Sequence, residues 1–182
     1  MTASRERVFI TGAGGFLGSH ICRHFWEKGS YVIGAGRFHF SAHERHPLRF
    51  VHEFHGLTLP DPSLPELLRL THPDLLVHCA GSSSVGPSLG QPHIDFQKNV
   101  EVCASLLESI RQESPKTTFV LLSSAAVYGN PEQLPVTETA ELHPFHRTVI
   151  TSACVNPSRS NTSHSMACAP QYCEFFPLME MD

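Results

Sequence analysis

Short apolar runs bounded by glycine or proline alternate along this chain with stretches in which apolar residues recur every three or four positions. Val8–Thr11 reads as a β-strand. Residues 16–28 carry Leu17, Ile21 and Phe25 at helical spacing and stop at Gly29, which predicts an amphipathic helix. Tyr31–Gly34 predicts a second strand and Arg49–Val51 a short third. After a proline-rich loop, Leu64–Leu70 predicts a short helix and Leu75–Cys79 a fourth strand. Residues 94–112 form a longer helical pattern with a stripe of Phe96, Val100, Cys103, Leu107 and Ile110, and Thr118–Ser123 is a fifth apolar run. Strands that are continuously apolar, rather than alternating, belong to a sheet buried on both faces, and such sheets are parallel with helices on each side. Right-handed crossovers then give an α/β, doubly wound sheet with its site at the carboxyl ends of the strands.

Composition narrows the function classes. A chain of 182 residues has material for one good core rather than two. The formal charge of −4 and the lack of any basic run argue against a general nucleic-acid binder. No apolar stretch reaches the length of about 18 residues needed for a membrane span, and the N-terminus lacks a basic region followed by an apolar run, so a cytoplasmic protein is expected. The six cysteines (22, 79, 103, 154, 168 and 173) show no Cys-x-x-Cys spacing and read as free thiols of a reducing compartment. Thirteen histidines invite a metal reading. The only tidy i,i+4 pair, His20/His24, lacks the intervening glutamate of a zinc-binding helix, so solvated surface histidines and no metal are expected.

The residues that carry chemistry all follow predicted strands: Gly12–Gly18 the first, Gly36-Arg37 the second, Ala80-Gly81-Ser82 the fourth and Ser123–Gly129 the fifth. Gly12, Gly15 and Gly18 lie between a strand and a helix, the position in which backbone N–H groups at a helix N-terminus meet a pyrophosphate. The glycines divide the work there into a tight turn, a close approach of backbone to phosphate, and close packing of helix on strand. A plain tight turn is the alternative reading. The sheet is then of the Rossmann type.

Taken together these segments resemble the extended short-chain dehydrogenase/reductase family of NAD(P)-dependent sugar-nucleotide epimerases and dehydratases. The matching stretches are Thr-Gly-Ala-Gly-Gly-Phe-Leu-Gly at 11–18, His-Cys-Ala-Gly at 78–81, Lys-Asn-Val at 98–100 and, most specifically, Ser-Ser-Ala-Ala-Val-Tyr-Gly at 123–129. The resemblance runs from about residue 7 to Pro144. It implies a cofactor held by Gly12, Gly15, Phe16, Leu17, Gly18, Arg37, Ala80, Gly81, Ser82, Asn99 and Ser123, with Ser124 bonding the reacting hydroxyl or ketone of a nucleotide sugar. For Ser124 the bland alternative is a hydroxyl capping a strand end. A carboxylate at the end of the second strand suits the ribose 2′-OH of NAD, whereas an arginine suits the 2′-phosphate of NADP. Gly36-Arg37 therefore favours NADP, with NAD left open. Where the family often has an aspartate against adenine, Leu57 and Thr58 stand instead. A homodimer through the face of helix 94–112 is a further implication of the resemblance.

The pattern breaks in the tail. The resemblance implies a Tyr-x-x-x-Lys pair some 25 residues after Ser124, with the tyrosine as general acid/base and the lysine lowering its pKa. The chain has none, and its last lysine is Lys116. Codons read one base out of register from the Phe145/His146 junction can, however, spell Ser-Pro-Tyr-Gly-Tyr-His-Lys, which supplies that pair. Met166-Ala167, Met179-Glu180 and Met181-Asp182 give glycine in the shifted frame whatever codons are used. The expectation is a dinucleotide-binding domain over 1–145 and an irregular non-family tail over 146–182, making an incomplete fold and a catalytically incomplete chain. The readings left open are an oxidoreductase lineage, a non-catalytic dinucleotide-binding module or sensor, and a product that folds poorly.

Overall fold

The computed structural model describes residues 5–37, 47–81, 97–122, 125–131, 133–137, 139–141 and 143. The chain divides into two compact units, one of Met1–Gly81 with Ser105–Leu122, the other of Ser82–Ala104 with Ser123–Asp182. The first holds five parallel strands: β1 (Arg7–Thr11), β2 (Tyr31–Gly36), β3 (Glu53–Gly56), β4 (Leu75–His78) and β5 (Thr118–Leu121). Their spatial order is β3-β2-β1-β4-β5. The chain moves outward from β1 to β3, then returns to the opposite side of β1 with β4. The topological switch point of the doubly wound sheet therefore lies between β1 and β4, whose last residues Thr11 and His78 stand opposite each other.

The central strands are buried on both faces, as their continuous apolar character requires. Val8, Ile10, Val32 and Val77 form one side of the core with Ala13 and Cys22, while Phe9, Ile33 and Leu76 alternate onto the other. Helix α1 (Phe16–Glu27) covers the first side with Cys22, and with Ile21 and Phe25 packed against it. Leu17, expected on that stripe, is 57% exposed because the helix approaches through Gly18 and Cys22, one position further round. Helix α2 (Leu64–Thr71) buries Leu64, Leu68 and Thr71, and ends at His72 in a left-handed conformation with φ 41°.

Most elements match the sequence expectation to within two residues at each end, and two depart further. Arg49 and Phe50 belong to a 3₁₀ turn, Pro47–Phe50, which sets Phe50 edge-on to Trp26, with Phe50 and Val51 packed against the α1-side core. Strand β3 starts only at Glu53, after His52 N–H donates to Val32 O at 2.8 Å. As the edge strand, β3 tolerates mixed polarity and its residues are half-buried or exposed. The long helical stripe begins as a π-helical turn, Gln97–Glu101, and continues as α3 (Val102–Glu113), with residues 94–96 outside the described set. Val102, Cys103, Leu106, Leu107 and Ile110 of this helix are buried, while Val100 is half-buried.

Cys22, Cys79 and Cys103 are free thiols, and the other three cysteines lie outside the described residues. Burial pushes the Cys22 and Cys103 thiols up to about 12 and Cys79 to about 11, with Cys79 adding to the rise at Cys22. Since the thiolate is the nucleophile, iodoacetamide at pH 8 is expected to leave Cys22 and Cys103 unmodified in the native chain and to label them in urea. Rapid labelling without denaturant, read by peptide mass, is the contrary result.

Candidate functional site

Strand β1 ends in the glycine loop. Gly12 has φ +68°, a left-handed conformation that side chains resist, and a Cβ there would lie 2.8 Å from Ala80 N. The turn closes with Gly15 N–H donating to Gly12 O at 2.9 Å and Ala13 N–H to Ala35 O at 3.2 Å. Gly15 is the N-cap of α1, with no side-chain cap and no acidic residue in the first turn. The N–H groups of the first turn thus have no intrahelical acceptor, at the positive end of the helix dipole, which is the preferred geometry for a phosphate. A Cβ on Gly18 would sit 2.1 Å from Gly12 O, so the helix rests on the loop by backbone contact. Phe16 and Leu17 are exposed beside this N-terminus.

Arg37 is exposed directly after β2, and no ion pair engages it among the described residues. Gly36, its neighbour, would place a Cβ 3.7 Å from Gly12 Cα, an ordinary contact. Leu57, buried, donates its N–H to Gly36 O at 2.9 Å. The loop after β4 is tied back to β1: Cys79 N–H donates to Thr11 O at 3.2 Å and Ala80 N–H to Thr11 Oγ1 at 3.3 Å. The structure therefore brings Gly12–Gly18, Arg37 and Ala80-Gly81 to the carboxyl end of the sheet around the switch point. Asn99 is half-buried in the π-helical turn of the second compact unit. Ser82, Ser123 and Ser124 lie outside the described residues.

Three contributors escape a reading of the sequence. Gly34, inside β2, would place a Cβ 2.9 Å from Ala13 Cβ, so it makes room for the residue after the turn. A glycine in a strand interior is the signal for such a close approach. Thr11 and His78 are the others: Thr11 Oγ1 lies 2.6 Å from His78 Nδ1, both residues are buried, and the His78 ring stacks at 6.4 Å on Phe119. Burial pushes His78 down to about 4, which keeps the imidazole neutral at physiological pH. Nothing in the sequence links two residues 67 positions apart. His20 of the predicted i,i+4 pair turns its Nδ1 to Phe16 O at 2.8 Å. Among the described residues no group of three or more side chains is arranged for a metal ion, and no helix is long and apolar enough to cross a membrane.

Comparison with known proteins points one way. The profile of the NAD dependent epimerase/dehydratase family matches residues 8–150. The chain is 32% identical over 164 residues to UDP-glucose 4-epimerase of Mus musculus, covering 84% of this chain and 44% of that protein. It is 30% identical over 171 residues to UDP-glucose 4-epimerase 2 of Arabidopsis thaliana, covering 86% and 49%. Among solved structures, UDP-glucose 4-epimerase from Brucella ovis in complex with NAD superposes with a TM-score of 0.72 at 26% identity, over 81% of this chain and 44% of that one. UDP-glucose-4-epimerase from Stenotrophomonas maltophila, with bound NAD and formylated UDP-arabinopyranose, gives 0.73 at 27%, over 81% and 46%. The chain spans less than half the length of these proteins.

Proposed function

Since the chain belongs to the NAD dependent epimerase/dehydratase family, we propose that its glycine loop binds NADP and that it is the cofactor-binding part of an oxidoreductase lineage acting on a nucleotide sugar. The observation that carries the reading is the uncapped N-terminus of α1 behind Gly12, Gly15 and Gly18, with an arginine rather than a carboxylate beyond β2. The pyrophosphate meets the first-turn N–H groups of Phe16, Leu17 and Gly18. Arg37 meets the 2′-phosphate as a bidentate donor. Ala80 and Gly81 line the adjoining edge, and the family resemblance implies Ser82, Asn99 and Ser123 as further cofactor contacts. The cofactor supplies hydride transfer at its nicotinamide when bound, and Ser124 orients the sugar by a hydrogen bond to its reacting oxygen.

The chain as it stands is catalytically incomplete, because no Tyr-x-x-x-Lys pair is present to move the proton. That same absence favours a second reading, a dinucleotide-binding module or sensor without catalysis. The nucleotide sequence across codons 140–183 and beyond separates the two. A shifted frame that spells lysine across Thr151 and Ser152 supports the broken enzyme, and a frame that cannot spell it leaves the module. A second copy of the chain as partner and a cytoplasmic location go with the enzyme reading, the latter supported by cysteines without Cys-x-x-Cys spacing.

Fluorescence titration with NADPH and NADH tests the binding claim. NADPH is expected to bind more tightly, and equal or reversed affinities overturn the choice of NADP. Gly36→Asp introduces a carboxylate into a site with ordinary room for its Cβ. Repulsion of the 2′-phosphate is expected to weaken NADPH by about tenfold or more while NADH is held or gains, since a like charge at a binding site costs several kcal/mol. A variant with wild-type preference for NADPH counts against Gly36-Arg37 as the reader of the ribose.

A further inference from the structure

We propose that His78 is a positioning residue for the cofactor cradle, acting through the Thr11 hydroxyl to hold the loop after β4 against the glycine loop. The inference rests on the dinucleotide-binding reading and adds to it a residue that touches no ligand. The Thr11 hydroxyl has two partners: Ala80 N–H, which donates to it at 3.3 Å, and His78 Nδ1 at 2.6 Å. The second contact is short and fully buried, so it sets the rotamer of Thr11 and thereby the direction of the lone pair that the longer Ala80 bond needs. Thr11 O receives Cys79 N–H at 3.2 Å, so both polar groups of one threonine bind consecutive amides of the β4 loop.

Position makes this contact functional rather than merely cohesive. Thr11 is the last residue of β1 and His78 the last of β4, paired across the switch point. Immediately beyond them Gly12 and Ala80 come so close that a Cβ on Gly12 would lie 2.8 Å from Ala80 N and 2.9 Å from Cys79 C. Any drift of the Ala80 amide therefore opens or closes the space beside the turn that aims α1 at the pyrophosphate. The ring is seated by its stacking on Phe119, whose strand pairs with β4, and is held neutral by burial, so it serves as a fixed partner rather than a proton donor to solvent. A neutral imidazole with Nδ1 committed to a hydroxyl fixes the direction of that hydroxyl, as a carboxylate hydrogen-bonded to a metal-ligating histidine fixes its ring. Asparagine places its terminal amide atom where Nδ1 stands, so it retains the contact, whereas phenylalanine keeps the ring and loses it.

The test is NADPH affinity by fluorescence titration, with a melting curve without cofactor, for wild type, Thr11→Val, Thr11→Ser, His78→Phe and His78→Asn. Thr11→Val and His78→Phe are expected to weaken NADPH by about five- to tenfold, the size of one lost buried hydrogen bond. Thr11→Ser and His78→Asn are expected to stay within about twofold, and the Thr11→Val/His78→Phe double variant to bind no more weakly than the weaker single one. Variants that melt earlier yet bind NADPH like wild type overturn the positioning role and leave a structural one. A wild-type chain that binds no NADPH overturns the dinucleotide reading and the inference with it. Hydrogen exchange on the wild type needs no variant to fold: the Ala80 amide is expected to be protected, and fast exchange there overturns the clamp.

Discussion

Gly18→Ala is expected to unseat α1 from the glycine loop and abolish dinucleotide binding. The added Cβ would lie 2.1 Å from Gly12 O, 2.7 Å from Gly12 C and 3.0 Å from Ala13 Cα, all of them backbone atoms that no rotamer change can move aside. Relief requires the helix to withdraw by about 1 Å, the gap between that contact and normal van der Waals separation. Withdrawal would pull Cys22, Ile21 and Phe25 off the core built on Val8, Ile10, Val32 and Val77. Two opposing effects decide the size. Alanine is the better helix former by about 1 kcal/mol. Overpacking against rigid neighbours costs about 3 kcal/mol or more, so the net loss is about 2 kcal/mol at least. Gly14→Ala is the control, because a Cβ there meets nothing within 4 Å and its φ is not left-handed. Urea midpoints and NADPH titration on both variants read the outcome. Wild-type behaviour of Gly18→Ala would mean that the helix does not rest on the loop as described.

The second large effect is the loss of stability on acidification through His78. Burial pushes its folded-state pKa from 6.5 down to about 4, and the residue is 3% exposed. Above pH 6.5 the imidazole is neutral in both states and contributes nothing to pH dependence. Below it the unfolded chain takes up a proton that the folded chain refuses, so stability falls by up to about 1.4 kcal/mol per pH unit. The fall continues until about pH 4 and amounts to about 3 kcal/mol over the window. His52 is shifted in the same direction by burial and by Arg5, but it is exposed and contributes less. Urea unfolding at pH 7 and pH 4.5, for wild type and His78→Asn, isolates the histidine as a difference between two slopes. Equal slopes would show that His78 titrates normally.

What could be read from the chain alone followed from how local each signal is. The glycine loop was legible because strand, turn glycines and helix start are contiguous, and the chemistry they serve is that of a single helix N-terminus. The apolar strands were legible because burial on both faces leaves no alternation to misread. Strand β3 was misplaced because an edge strand reading Glu-Phe-His-Gly carries no apolar signature, while Phe50 and Val51 beside it are apolar for a different reason, covering the α1 side of the core. Leu17 was placed on the buried stripe because helical spacing alone treats glycine as empty, whereas Gly18 is where the helix comes closest.

By itself, then, the amino-acid sequence determined the alternation of strands and helices, the parallel sheet, the glycine turn between β1 and α1, and the family. Only the tertiary structure decided that β1 lies between β2 and β4, that the switch point opens at Thr11 and His78, and that Gly12 packs on Ala80 rather than on another loop. The physical reason is that propensity and periodicity act within a turn or a few residues. Strand order and register come from long-range pairing, which the whole core selects at once.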